Sequence, residues 1–152
     1  MRAALAEAKR AEAAGEVPIG ATVVVDGKIV GAGFNQQIAT HDATAHAEIV
    51  ALRAAGLACG NYRLTGASLY VTVEPCLMCV GALVHARIGT LVYGAAEPKA
   101  GAVQSMCRSL EHPSLNHEVV AVSGVLESEC KAILQGFFRR RREVSAYTMH
   151  LE

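Results

Sequence analysis

No run of eighteen or more apolar residues occurs in the 152-residue chain, so the sequence offers no membrane-spanning helix of ordinary length. No signal peptide opens it, and the expected setting is soluble and cytoplasmic, with no membrane partner. Charge of one sign is missing too. Fourteen Lys and Arg stand against fourteen Asp and Glu, a formal net charge of zero, so there is no global electrostatic case for a polyanionic partner. The five cysteines are odd in number. Cys59, Cys107 and Cys130 have no evident pairing and read as small buried hydrophobes in a reducing compartment. No repeat, linker or low-complexity segment divides the chain. Residues 1–150 therefore read as one domain, long enough for a sizeable core, and Leu151-Glu152 read as a scar outside it.

Against these absences stands one dense feature: His46-Ala47-Glu48, followed thirty positions later by Pro75-Cys76-Leu77-Met78-Cys79. Each half alone is ambiguous. A Cys-x-x-Cys after proline also reads as a redox pair at a helix start, and a lone His-x-Glu is usually an ordinary polar stretch of helix. Together they supply one imidazole and two thiolates, three ligands for a zinc ion whose fourth position stays open, as in catalytic rather than structural sites.

Geometry supports convergence. Pro75 fits the first helical position, where its missing N–H costs nothing, and Cys76 and Cys79 then share one helical face. The partial positive charge of a helix start favours both thiolates. His46 and Glu48, two apart, can face one metal only if their helix is just beginning, with Asp42 and Thr44 placed to cap it. A catalytic zinc lowers the pKa of water from about 15.7 to about 7, worth roughly 12 kcal/mol toward hydroxide. That leaves Glu48 as the catalytic proton shuttle.

The rest of the chain alternates between helical and strand patterns. A helix runs from Met1 to about Ala14, with Met1, Ala4, Leu5, Ala8 and Ala11 on one stripe and Gly15 at its end. Ala21 to Val25, Asp26-Gly27 and Lys28 to Val30 form a hairpin. A helix from His46 stops at Gly56, a strand from Ala67 to Val73 delivers Glu74-Pro75, and an apolar helix spans Cys76 to about Ala86, buried on most sides. Strands follow at Thr90 to Tyr93 and Val119 to Val122. A last helix begins near Glu127, with Cys130, Ile133, Leu134, Phe137 and Phe138 at core spacing and Arg139 to Arg142 at its end. This order gives an α/β domain with helices on both faces of a mixed sheet.

The pattern matches the H-x-E…P-C-x-x-C spacing of the zinc nucleobase deaminases, and residues 16–142 resemble one branch of them. The phrases Glu16-Val-Pro-Ile-Gly-Ala21, Gly33-Phe-Asn35, His41-Asp-Ala-Thr-Ala-His-Ala-Glu48, Asn61-Tyr-Arg-Leu64, Leu69-Tyr-Val-Thr-Val-Glu-Pro-Cys76, His85-Ala-Arg-Ile88 and Phe137-Phe-Arg-Arg-Arg-Arg142 resemble the TadA-type tRNA adenosine deaminases of the cytidine deaminase superfamily. Ala43 and Gln37 stand where prolines are usual there, and Glu97 where an aspartate is usual.

The resemblance implies a three-layer cytidine-deaminase-like fold with a five-stranded sheet and a homodimer, and the near-uniformly apolar helix after Cys76 is the surface expected to pack across its interface. It implies one Zn2+ per chain held by His46, Cys76 and Cys79, with Glu48 as catalytic residue. The reaction would convert the wobble adenosine of a tRNA anticodon loop to inosine, with Asn35 touching the flipped base. From the residues alone, Asn35 reads as a turn residue and the arginine run as a solvated helix tip. Given a polynucleotide substrate, Arg139, Arg140, Arg141, Arg142 and Lys99 become backbone contacts. Two other readings stay open: a guanine or cytosine deaminase acting on a free base or nucleoside, and a non-catalytic zinc-stabilised RNA-binding subunit. His41 and His85 are expected to be structural or substrate-facing, and His112, His117 and His150 to lie on the surface.

Overall fold

The structure is a computed structural model, and it describes residues 1–149 as backbone elements and 1–145 with side chains. The elements are α1 (Arg2–Ala13), β1 (Gly20–Val25), β2 (Lys28–Phe34), α2 (Gln37–Thr40), α3 (Ala47–Cys59), β3 (Ser68–Val73), α4 (Leu77–His85), β4 (Thr90–Ala95), a 3-10 turn at Ser109–Glu111, β5 (Val120–Val122) and α5 (Glu127–Met149). His150, Leu151 and Glu152 lie outside the described residues.

Five strands form one mixed sheet in the order β2-β1-β3-β4-β5. The hairpin pair and β1 with β3 run antiparallel, and β3, β4 and β5 run parallel. Asp26 and Gly27 both have positive φ, 49° and 74°, as a two-residue hairpin turn of the primed type requires. The crossover from β3 to β4 is α4, so the parallel pairing places the start of α4 at the carboxyl edge of β3.

Small residues decide how close the layers come. Ala4, Ala8 and Ala11 of α1 are fully buried, and a Cβ on Gly20 would lie 2.1 Å from the Ala4 carbonyl oxygen. On the other face a Cβ on Gly31 would lie 2.5 Å from the Ala51 carbonyl oxygen, so α3 presses directly on β2. The larger core lies on this α3/α4 face, joining Ala21, Val23, Ala51, Leu69, Val71, Val80, Leu83, Ile88, Leu91 and Tyr93. A smaller cluster of Leu5, Ala95 and Cys130 lies under α1 and α5.

Several boundaries differ from the sequence reading. The helix after His46 passes through Gly56 and stops at Gly60, which takes the left-handed conformation (φ 64°) and donates its N–H to the Gly56 and Leu57 carbonyls. A mid-helix glycine costs only about 1 kcal/mol, less than the packing of Ala51 and Ala55 against the sheet returns. Pro75 is not the first helical residue. Cys76 is the N-cap and Leu77 begins α4, because the Pro75 carbonyl is used outside the helix, by the Ala102 N–H at 2.8 Å.

The apolar helix is also less enclosed than its composition suggests: Cys79, Val80, Leu83 and Val84 are buried, but Leu77 is 58% and Met78 38% exposed. Phe138, expected in the core, is exposed, while Phe137 is buried. Cys59 is exposed at the end of α3, although Cys130 is buried as expected. His117, expected on the surface, is half-buried and donates from Nε2 to the Ile88 carbonyl at 2.7 Å. The arginine run does not end its helix either, since α5 continues to Met149.

Candidate metal centre and active site

Two helix starts meet at the site. His46 is the N-cap of α3 and Cys76 the N-cap of α4, both with extended backbone (ψ 153° and 172°). Each residue thus lies just before its helix and can turn its side chain across the gap. His46 Nδ1 lies 3.5 Å from Cys76 Sγ and 3.6 Å from Cys79 Sγ, and the three donor atoms all fall within 4.8 Å of one another. Zn–N bonds of 2.0–2.1 Å and Zn–S bonds of about 2.3 Å at a tetrahedral angle would separate nitrogen from sulfur by about 3.6 Å. The donor set and spacing therefore fit a zinc-sized ion, with three protein ligands and one position left over.

The electrostatics suit a cation. Cys76, accepting a hydrogen bond from Cys79 and another from His46, is pushed down to about 4 despite partial burial. Cys79, holding the shared proton against Cys76 and buried besides, is pushed up. Its hydrogen bond to Cys76 likewise raises His46. A proton shared between two sulfurs marks the place where a metal would displace it.

Glu48, in the first turn of α3, is 4% exposed. Its carboxyl lies against the Cys79 sulfur, and burial pushes its pKa up. Desolvation raises the proton affinity of this carboxyl, which suits a group that must take up and return a proton.

The capping expected of Asp42 and Thr44 is absent at α3. Asp42 instead accepts from the Thr44 N–H and hydroxyl at 2.8 and 2.7 Å, closing its own turn. The group that ties down α3 is Asn35, 5% exposed, whose Oδ1 accepts the Ala47 N–H at 2.9 Å. Ala47 lies between His46 and Glu48 in the chain, so Asn35 holds the start of the helix that carries them.

The other candidates lie apart from the metal centre. Lys99 is exposed in the loop after β4, where its backbone N–H donates to Glu97 Oε1 at 2.9 Å. Arg140 pairs with Glu12, and Arg141 donates to the Gly15 carbonyl at 3.1 Å and stacks over Phe137. Arg139 and Arg142 are exposed. The run sits over the end of α1, whose following segment leads to β1 and, through the Asn35 N–H bonded to the Ile19 carbonyl at 3.2 Å, to the rim of the site.

One residue of the site region carries no role in the sequence reading: Glu74. It is 3% exposed and accepts hydrogen bonds from Val103, Gln104, Ser105 and Glu97 N–H groups at 3.2, 2.7, 2.9 and 3.0 Å, together with the Ser105 hydroxyl. Burial alone would raise this carboxyl, but the Ser105 hydroxyl and the backbone donors outweigh it and hold the pKa down. The one sequence signal was its place directly before Pro75-Cys76.

A metal-competent His/Cys/Cys set with a buried glutamate, at the starts of two helices on a mixed five-stranded sheet, defines a deaminase of the cytidine-deaminase-like fold. The comparisons agree. The model of the MafB19-like deaminases matches residues 1–142. The tRNA-specific adenosine deaminase of Haemophilus influenzae is 49% identical over 94% of this chain and 83% of its own length, and that of Bacillus subtilis 45% identical over 94% and 89%. A solved structure from a study of A-to-I editing by tRNA:A34 deaminases at the wobble position of transfer RNA superposes with TM-score 0.86 at 48% identity, covering 88% of this chain and 97% of that one. The guanine deaminase of Bacillus subtilis is more distant, with TM-score 0.61 and 30% identity over 93% and 90%. The chain belongs to the tRNA-specific adenosine deaminase family.

Proposed function

We infer that the protein hydrolytically deaminates adenosine to inosine at the wobble position of a tRNA anticodon. The observation that carries the chemistry is the approach of His46 Nδ1 to both thiols at 3.5 and 3.6 Å with the Glu48 carboxyl buried against one of them. Near-full-length identity to tRNA-specific adenosine deaminases, well above that to the guanine deaminase, carries the substrate. A guanine or cytosine deaminase of free bases is not favoured on that ground. A non-catalytic subunit is not favoured because it has no use for a desolvated carboxyl at the metal centre.

We propose that residues 1–150 form one zinc-dependent domain in which His46 Nδ1, Cys76 Sγ and Cys79 Sγ hold one zinc per chain. Zinc, when bound, supplies the Lewis acidity that makes water a nucleophile at neutral pH. Glu48 takes one proton of the attacking water and delivers it to the ring nitrogen beside the amino-bearing carbon, then takes the proton of the added hydroxyl and delivers it to the amino group, which leaves as ammonia while the carbonyl forms. Asn35 keeps α3 in place through Ala47 and holds its amide beside the base. An anticodon-loop adenosine is already partly unstacked, so drawing it into the pocket costs less than extrusion from a duplex. Lys99 and Arg139 to Arg142 provide cationic groups for the flanking phosphates.

A homodimer is supported by an apolar groove of about 770 Å³ between α3 and α4, lined by Ile49, Leu52, Leu57, Tyr62, Ala82 and His85. Leu57 and Tyr62 are 86% and 71% exposed in the lone chain. A monomer mass by light scattering at micromolar concentration overturns that part. Among the described residues no helix is long and apolar enough to cross a membrane, and a tRNA substrate supports a cytoplasmic setting. The deciding experiment is incubation with total tRNA followed by nucleoside analysis. Inosine at the first anticodon position is expected, and efficient deamination of free guanine or cytosine with untouched tRNA overturns the reading.

A further inference from the structure

The segment after β4 wraps a single carboxylate. Glu74 follows β3, and its own N–H continues the strand pairing by donating to the Ala95 carbonyl at 2.8 Å. Its side chain then turns into the 97–105 loop, where Oε2 accepts the Glu97 N–H and the Ser105 hydroxyl. Oε1 accepts three successive N–H groups, of Val103, Gln104 and Ser105. The loop approaches so closely that a Cβ on Gly101 would lie 2.2 Å from Oε2, so only glycine fits there. A second tie, from the Ala102 N–H to the Pro75 carbonyl, binds the same loop to the residue next to Cys76. Ionised Asp and Glu side chains only accept hydrogen bonds, and here the carboxylate accepts five. The result is one stem from which both a metal-ligating cysteine and an exposed loop carrying Lys99 project.

We propose that Glu74 is a positioning residue for substrate: by gathering the 97–105 loop onto the Cys76 stem, it sets the loop that presents Lys99 to the RNA, without touching the reacting atoms. This rests on the tRNA reading above. Glu74→Gln is close to isosteric, but replaces one acceptor oxygen with an NH2 that faces the Glu97 N–H and the Ser105 hydroxyl. The variant loses hydrogen bonds to a charged acceptor at the loop while leaving His46, Cys76, Cys79 and Glu48 unaltered.

The test compares wild type, Glu74→Gln and Ser105→Ala on an anticodon stem-loop, with zinc content and deuterium exchange measured on the same preparations. Loss of a hydrogen bond to a charged group predicts that Glu74→Gln raises KM roughly tenfold or more, with kcat and zinc content near wild type. Exchange should speed up across residues 97–105 but not at the start of α4. Ser105→Ala, which removes one exposed donor and so endangers folding less, should move KM and exchange the same way by a smaller amount. Lys99→Ala should weaken binding less in the Glu74→Gln background than in wild type, because the loop is already out of place. Zinc loss, a fall in kcat at unchanged KM, or unaltered exchange at 97–105 overturns the proposal. If Glu74→Gln does not fold, Ser105→Ala decides the matter by the same readouts. A wild-type chain inert on the stem-loop overturns the functional reading instead, and the exchange comparison still decides whether Glu74 orders the loop.

Discussion

The metal centre and the arginine run of α5 are both short clusters of one chemistry, yet the fold treats them oppositely. His46, Cys76 and Cys79 come from two distant segments and bring their donor atoms within 4.8 Å. Arg139 to Arg142 are neighbours in sequence and diverge. Successive residues on a helix point about 100° apart, so Arg140 meets Glu12, Arg141 meets Gly15 and Phe137, and Arg139 and Arg142 face outward. Residues at the starts of two helices can converge on a point, whereas a run inside one helix spreads around it. A motif's chemistry is therefore readable from its spacing where caps fix direction, and a charge run says little about which of its members will meet a ligand.

The largest expected effect lies at the convergent end. Cys76→Ser should release the metal and abolish inosine formation together, read by metal analysis and nucleoside digestion. Full metal retention would remove Cys76 from the ligand set. Next comes Glu48→Ala, expected to lower kcat by about 10²–10⁴-fold, the usual contribution of a positioned acid–base group, while metal content stays near one per chain. Simultaneous metal loss would make Glu48 a ligand and undo the division of roles.

At the divergent end the run should split in two. Arg139→Ala with Arg142→Ala should weaken RNA binding and flatten its salt dependence by about 1.4 in log–log slope if both residues meet phosphates of a single-stranded loop. The melting temperature should not move. Arg140→Ala with Arg141→Ala should also loosen α5 from α1, at a cost of up to about 1 kcal/mol because the Glu12 pair is largely solvent-screened. Equal effects of the two pairs on both binding and melting would erase the contrast. The smallest effect concerns the cap that joins the two halves of the site. Asn35→Ala should cost about 1 kcal/mol through loss of the Ala47 hydrogen bond, a fall of roughly 2–4 °C in melting temperature.

The same contrast explains what could be read in advance. The donor set, the hairpin at Asp26-Gly27, all five strands and the alternation of strands with helices were legible, because each rests on short-range pattern or on a spacing imposed by helix geometry. Boundaries set by competition were not. Gly56 looks like a helix stop, and only the packing of Ala55 under Gly31 carries α3 on to Gly60. Pro75 looks like a first helical residue until the Ala102 N–H claims its carbonyl. Asp42 looks like a cap for α3, but the acceptor that arrives is Asn35, from the far end of a strand. Leu77 and Met78 look buried because the helix is apolar all round, and a helix facing one sheet has only one face to bury.

By itself the sequence determined which atoms can ligate and which fold class brings them together. Those properties belong to residue types and to spacings within one turn or one strand. The tertiary structure alone decided that Glu74 gathers five donors from a loop more than twenty residues away, that Asn35 secures the helix carrying His46 and Glu48, and that the four arginines divide between α1 and solvent. A hydrogen-bond partner distant in sequence is selected by the path of the chain through space, and no local pattern encodes that path.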